Sequence, residues 1–205
     1  MRFPRNRILI FAKAPVPGSV KTRLLPVLSP EGAAALYREL LETTVSTVCS
    51  SGLAGVDLWC APDTLHPVFR SLEKTRGVAL FRQSGGDLGS RMAWAATRAL
   101  ASADSVLLIG GDCPELDPDY LETALRWLAE GDDAVLGPAE DGGYVLIGLR
   151  RNNPRLFEDI PWGGDRVLEL TRERLRELGW RWRELTPLWD LDRPEDLHRY
   201  RSLQA

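Results

Sequence analysis

The chain is poor in the residues that zinc, disulfide and redox chemistry need. Its 205 residues include 3 cysteines and 2 histidines. Cys49, Cys60 and Cys113 form no Cys-x-x-Cys pair and no even framework, so reduced thiols in a cytoplasmic setting are expected. Cys49 and Cys60 lie in apolar contexts and read as core. Cys113 has no partner in sequence that would make it a nucleophile. His66 and His198 do not cluster with the cysteines and form no His-x-x-x-His, which argues against zinc. There is no Gly-x-Ser-x-Gly, and no Gly-x-Gly-x-x-Gly follows the first apolar run. A hydrolase nucleophile elbow and a dinucleotide redox site are therefore disfavoured. Basic excess is missing too. The net charge is −3, so nucleic acid is not an expected partner. No apolar stretch approaches a membrane span. The basic start Met1 to Arg7 is followed by Ile8 to Ala12, too short for a signal h-region. Lysine is scarce and arginine abundant. Much of the arginine falls on expected helix faces as solvated ion pairs.

What is present is an ordinary globular composition, 44% hydrophobic and 27% charged, and one domain over residues 1–205 is expected. Strand and helix signals alternate. Strands are expected at Arg7 to Lys13, Val56 to Cys60, Val78 to Phe81 and Ser105 to Ile109. Helices are expected from Ser29-Pro30 to Cys49, Thr64 to Lys74, Leu88 to Ala101 and Pro118 to Glu130. Such a run of β-α units predicts a three-layer α/β/α fold with a mostly parallel sheet. The alternation then breaks. Ala134 to Gly137 and Tyr144 to Leu149 are strands separated only by a turn, which suggests an inserted antiparallel element. A helix at Leu168 to Leu178, a strand at Arg181 to Leu185 and a helix at Pro194 to Ser202 follow.

Four loops collect the residues able to do chemistry. The most informative is Gly110-Gly111-Asp112-Cys113-Pro114-Glu115-Leu116. It lies between a buried strand and a helix start at Asp117-Pro118. Asp112 is thus expected at the carboxyl end of a strand, where open α/β sheets bind ligands. A carboxylate there suits a hard cation held against phosphate oxygens. The loop Lys13 to Leu24 follows the first strand with Lys13, Lys21 and Arg23 available to phosphates and Gly18 allowing close approach. It is not a Walker A loop, since Pro15 and Val20 stand where glycines would be required. In Gln83-Ser84-Gly85-Gly86-Asp87, Gln83 beside the glycines Gly85 and Gly86 could read a base edge, and Asp87 could cap the next helix. The bland alternative is a turn. Arg91, one turn into that helix, could face a phosphate. In Glu140-Asp141-Gly142-Gly143-Tyr144, Asp141 is either part of a hairpin turn or a base or hydroxyl acceptor over a substrate. Asp190 and Asp192, two apart, share a face if the segment is extended, and could join Asp112 around a metal.

Five segments together resemble a known group: Phe11 to Leu24, Gly85 to Gly89, Gly111 to Leu116, Gly137 to Tyr144 and Asp190 to Leu197. They are similar, in order, to an uncharacterised bacterial family labelled glycosyltransferase-A-like or radical-SAM/selenodomain-associated transferase 1. The resemblance runs from about Ile8 to Leu197. It implies the nucleotide-diphospho-sugar transferase (GT-A-like) fold. It also implies kinship with nucleotidyltransferases of the phospholactate and molybdenum-cofactor guanylyltransferase types. Those carry a basic loop ending in Arg-Leu, matched by Lys21-Thr22-Arg23-Leu24, and a Gly-Asp-x-Pro metal loop, matched by Gly111-Asp112-Cys113-Pro114. The chain departs from the family in having Gly111 where Thr or Ser is common. Arg193 also stands where Thr is common, removing an N-cap at a cost of about 1 kcal/mol.

The expectation is a transferase dependent on Mg²⁺ or Mn²⁺. Asp112, Lys21 and Asp141 would be catalytic, and Asp112, Asp190 and Asp192 would surround the metal. Lys13, Gly18, Lys21, Arg23, Gln83, Gly85 and Gly86 would hold the nucleotide. Asp141, Gly142, Gly143 and Tyr144 would meet a small-molecule acceptor. The unmatched Asp-x-Asp and the basic loop favour nucleotidyl transfer from an NTP to a phosphorylated acceptor. Glycosyl transfer from a nucleotide-sugar, and non-catalytic nucleotide binding, are the alternatives. Neither the base nor the oligomeric state is legible.

Overall fold

A computed structural model describes residues 1–203. Seven strands form one sheet: β1 (Asn6–Lys13), β2 (Gly55–Ala61), β3 (Ala79–Arg82), β4 (Ser105–Ile109), β5 (Ala134–Pro138), β6 (Tyr144–Leu149) and β7 (Trp182–Glu184). Their spatial order is β3-β2-β1-β4-β6-β5-β7. Only β6 runs against the others, paired between β4 and β5. The antiparallel element expected from the short connection is therefore present, and it lies inside the sheet rather than at its edge.

The helices are α1 (Pro30–Ser51), α2 (Pro67–Arg76), α3 (Leu88–Leu100), α4 (Pro118–Ala129), α5 (Val167–Glu177) and α6 (Pro194–Leu203). Alternation along the strands divides the core into two layers. Ile8, Ile10, Leu107 and Ile109 face α1, α2 and α4. Leu9, Val106 and Leu108 face α3 and α5. The α/β/α architecture read from the sequence is the one observed. Near the core lies a smaller cluster of Leu24, Leu40, Trp189, Leu191 and Leu197, which seats α6 on the first loop.

Local chemistry explains the helix starts. Ser29 accepts from the Gly32 amide with Pro30 in the first turn, and Asp117 accepts from Tyr120 with Pro118 beside it. Asp87 and Ser90 make a reciprocal capping box. One start differs from expectation. Helix α2 begins at Pro67, capped by His66, and not at Thr64, because Asp63 accepts from the Leu65 amide and turns the chain first. A 3-10 turn at Thr22–Leu24 was not legible as structure. Cys60 and Cys113 are buried and Cys49 half-buried, all as free thiols. Among the described residues no helix is long and apolar enough to cross a membrane.

Candidate active site

From β1 the chain moves outward to β2 and β3, then returns to place β4 on the other side of β1. The order reverses there, and the loops leaving β1 and β4 open a crevice at the carboxyl edge of the sheet. Lys21 comes from the first loop and Asp112 from the second. The Lys21 backbone is left-handed, φ 50°, and its side chain is only 4% exposed. Lys21 Nζ donates to Asp112 Oδ2 at 2.7 Å and lies 3.7 Å from Asp192 Oδ1. Tyr37 of α1 sits beneath, its ring centroid 5.9 Å from Nζ, and its hydroxyl accepts from the Lys13 amide.

Backbone bonds lock the remaining loops onto this pair. The Leu191 amide donates to the Asp112 carbonyl at 3.0 Å. Glu140 and Leu188 are joined through Glu140 N–H to Leu188 C=O, and Leu188 N–H reaches Pro138 C=O. The segment carrying Asp190 and Asp192 is thus stitched to both the Asp112 loop and the Asp141 loop. Asp196 accepts from the amides of Asp192 and Arg193 at 3.0 and 2.6 Å. It supplies from within α6 the anchoring that Arg193 cannot give as a cap. Arg199 pairs with Glu140 at 2.9 Å and stacks over Trp189.

The electrostatics of the crevice are unbalanced. Burial opposes the Lys21 charge, but Asp112, Asp192 and Asp190 outweigh it and hold its pKa above the ordinary lysine value. Burial, then the charges of Asp112 and Asp141, push Asp190 up to about 6. Burial also pushes the Cys113 thiol up to about 12, so it is no nucleophile at neutral pH.

Two cavities meet at Gly110 and Asp112. One, about 620 Å³, is basic: Lys13, Lys21, Arg23, Gln83 and Arg91 line it, with Asp112 and Asp192. The other, about 240 Å³, is mostly apolar and carries Asp112, Asp141 and Asp190. Asp190 and Asp192 therefore do not share a compartment as the extended-segment reading required. Asp112 lines both cavities, and Asp192 is committed to Arg23 at 2.6 Å.

Several expected ligand residues have other work. Gly18, Gly85 and Gly86 line neither of these cavities. Gly18 turns at an exposed loop tip with φ +76°, while the carbonyls of Gly85 and Gly86 accept from Arg91. Gln83 donates its amide to the Ala12 and Trp59 carbonyls at 3.1 and 2.8 Å, leaving only its oxygen for a ligand. Gly142 has φ +88°, and a Cβ there would meet the Asp165 carbonyl oxygen at 2.0 Å; its role is close packing. The Tyr144 ring lines the apolar cavity, but its hydroxyl is buried and held protonated by that burial. Lys13, Lys21, Arg23, Asp112, Asp141 and Gly143 do reach the cavities.

Sequence reading missed four contributors. Tyr37 was hidden in the apolar stripe of α1. Asp196 and Arg199 had no role assigned from the sequence. The Pro161-Trp162-Gly163-Gly164 loop was not read at all, yet Trp162 walls the apolar cavity and Gly163 C=O lies 3.5 Å from Arg23. Its sequence signal was a Trp between breakers before a helix.

The doubly wound sheet with a charged crevice at its switch point is the architecture of α/β proteins that bind ligands at the carboxyl edge of the sheet. The chain belongs to the family described as "Uncharacterized protein conserved in bacteria (DUF2064)", whose model matches residues 44–164. It falls in the nucleotide-diphospho-sugar transferase superfamily, a superfamily of transferases. A protein of Desulfovibrio desulfuricans G20, provisionally named a nucleotide-diphospho-sugar transferase, is 32% identical. That match covers 98% of this chain and 88% of that one, with a TM-score of 0.88. CMP:2-keto-3-deoxy-manno-octonic acid synthetase, solved with CTP, is 15% identical over 98% of both chains, with a TM-score of 0.58. Rv0371c of Mycobacterium tuberculosis H37Rv, solved with manganese, is 16% identical over 95% and 97%, with a TM-score of 0.57. The last two likenesses show the fold. No curated protein sequence matches the chain.

Proposed function

We propose that the chain is a metal-dependent nucleotidyltransferase that binds the phosphates of an NTP in the basic cavity and its acceptor in the apolar one. The observation that carries this reading is the Lys21–Asp112 pair at the junction of the two cavities. Lys13, Lys21, Arg23 and Arg91 bring four cations to one cavity, a complement suited to a triphosphate. Phosphate oxygens would replace carboxylates as partners of Lys21 and Arg23, which frees Asp112.

The donor set fits a hard cation. Asp112 and Asp190 offer carboxylate oxygens, and their mutual repulsion with Asp141 is what a cation would relieve. Among the described residues no group of three or more His, Cys, Asp or Glu is arranged to hold a metal alone. Mg²⁺ usually takes one or two carboxylates and completes its shell with waters and substrate phosphates. A bound Mg²⁺ or Mn²⁺ would neutralise charge on the transferring phosphoryl group. Asp141, which lines the apolar cavity together with Asp112, would accept the proton of an attacking hydroxyl.

Glycosyl transfer is the second reading, favoured by the name of the D. desulfuricans relative. The two differ in product. Incubation with an NTP panel, a nucleotide-sugar panel and mixed acceptors should release pyrophosphate from an NTP. Nucleoside diphosphate released only from nucleotide-sugars would replace our reading with the second. Tight nucleotide binding with neither product across the panels would favour a binding protein.

A further inference from the structure

The two cavities separate two chemistries. Every cation of the crevice lines the basic side, and among the described residues none lines the apolar side. There the walls are Phe11, Met92, Leu108, Val145, Ile147 and Trp162, and the only charges are the carboxylates of Asp112, Asp141 and Asp190. We propose that the acceptor is an unphosphorylated molecule with a compact apolar body, uncharged or cationic, that offers a hydroxyl to the carboxylates at the cavity mouth. This deepens the reading above and rests on it for the nucleotide side.

Three observations set the acceptor's character. First, a phosphate, sulfate or carboxylate would find no cationic side chain in this lining, and Asp141 keeps its charge when a metal takes Asp112 and Asp190. Such a group is excluded there and welcomed next door. The phosphorylated acceptor expected from the sequence does not suit this lining. Second, a sugar would carry hydroxyls along its whole body. The aliphatic and aromatic walls give those hydroxyls few partners, and each unpaired one weakens binding. Third, the volume of about 240 Å³ exceeds the ~150 Å³ that accepts benzene, so a body of roughly ten non-hydrogen atoms fits.

The walls are held in shape. Trp162 meets Tyr144 edge-on, with centroids 6.4 Å apart and planes at 87°. Behind it Gly89 gives room, since a Cβ there would lie 2.6 Å from Trp162 Nε1. The polar end is equally defined. Asp141 Oδ1 accepts from the Gly143 amide at 2.9 Å, which leaves Oδ2 to the acceptor. In the transfer step the acceptor oxygen forms a bond to the α-phosphorus. The bond from that phosphorus to the β-bridging oxygen breaks, and pyrophosphate leaves with the electron pair. The hydroxyl proton passes to Asp141.

The chain has 2 methionines, and only Met92 lines this cavity, while Met1 is exposed. Methyl-¹³C-methionine NMR therefore gives one reporter inside it. Titrations with benzyl alcohol, 4-(hydroxymethyl)benzylamine and benzyl phosphate would be run with Mg²⁺ and tripolyphosphate filling the basic cavity. The first two probes should shift Met92 saturably. Benzyl phosphate should bind at least about tenfold more weakly, given the Asp141 charge and the lack of any cationic side chain in the lining. Asp141→Asn should narrow that gap by strengthening benzyl phosphate. Benzyl phosphate binding as well as benzyl alcohol, or no probe moving Met92, would overturn the proposal. Calorimetry of Mg²⁺-tripolyphosphate tests the nucleotide side separately. A failure there with a selective Met92 response would sink the functional reading and leave the cavity's selectivity standing.

Discussion

Two acidic clusters sit at opposite ends of the same sheet and are built on opposite terms. At the amino end of β5, Asp132 pairs with Arg181 and Arg183, and Asp133 with Arg150 and Arg151, at 2.5–3.1 Å. Two carboxylates there have four guanidiniums. At the carboxyl edge, Asp112, Asp190 and Asp192 surround Lys21, Asp192 also pairs with Arg23, and Asp141 adds its charge beside Asp190. One cluster is neutralised by its own chain and the other is not. The titration directions follow. Burial raises Asp133, but the Arg181 amide and the arginines overcome it and its pKa falls below the usual carboxylate value. Burial, and then the charges of Asp112 and Asp141, raise Asp190 to about 6 against the single opposing charge of Lys21. A charge cluster completed from within is architecture. One left incomplete beside a cavity is the pattern expected where a ligand supplies the missing charge.

The largest expected effect breaks the incomplete cluster. Asp112→Asn should lower turnover on the order of 10³-fold while leaving the melting temperature within a few degrees. Steady-state rates and calorimetric melting check both halves. At the complete cluster the pattern inverts. Asp132→Asn should cost about 2 kcal/mol of stability, because two charge-assisted bonds are lost from a buried carboxylate, and leave nucleotide binding unchanged. Urea unfolding measures the first and calorimetry the second. The same cluster sets a pH dependence. The folded pKa of Asp133 is depressed, so its contribution is complete above the ordinary value near 4 and is lost as pH falls through the lowered one. Asp133→Asn should flatten the acid limb of a stability-versus-pH curve; an unchanged limb would remove this pair from the account.

Smaller effects sharpen the contrast around the apolar cavity. Gly89→Ala should cost about 1–3 kcal/mol by pressing on Trp162 and should weaken acceptor binding more than nucleotide binding. Asp196→Ala should loosen the Asp190–Asp192 turn, costing about 1 kcal/mol by denaturation. Arg193→Thr should restore less than about 1 kcal/mol, since Asp196 already holds the amides near this helix start.

The layered fold and its element order were legible because strand alternation and capping residues are local signals. Asp87, Asp117 and Ser29 each announced a helix by side chains three residues from their partners. The place of β6 inside the sheet was not legible, since its neighbours β4 and β5 are chosen by tertiary packing. In the site, Asp112, Lys21 and Arg23 stood out because strand-end loops carry ligands. Asp192 and Asp190 looked like one pair, but they line different cavities, flanking Leu191, whose amide donates to the Asp112 carbonyl. Glycines misled in the other direction. Gly142 reads like a ligand loop but answers to Asp165, twenty-three residues on, a contact no local pattern encodes.

The most direct test is a calorimetric titration of GTP, CTP and UDP-glucose into wild type and Asp112→Asn, each with and without Mg²⁺. The account predicts that at least one nucleotide binds the wild type at least tenfold more tightly with Mg²⁺, and that Asp112→Asn, equally stable, loses that gain. Nucleotide binding that ignores both the metal and the substitution would contradict the claim that this incomplete cluster is the active centre.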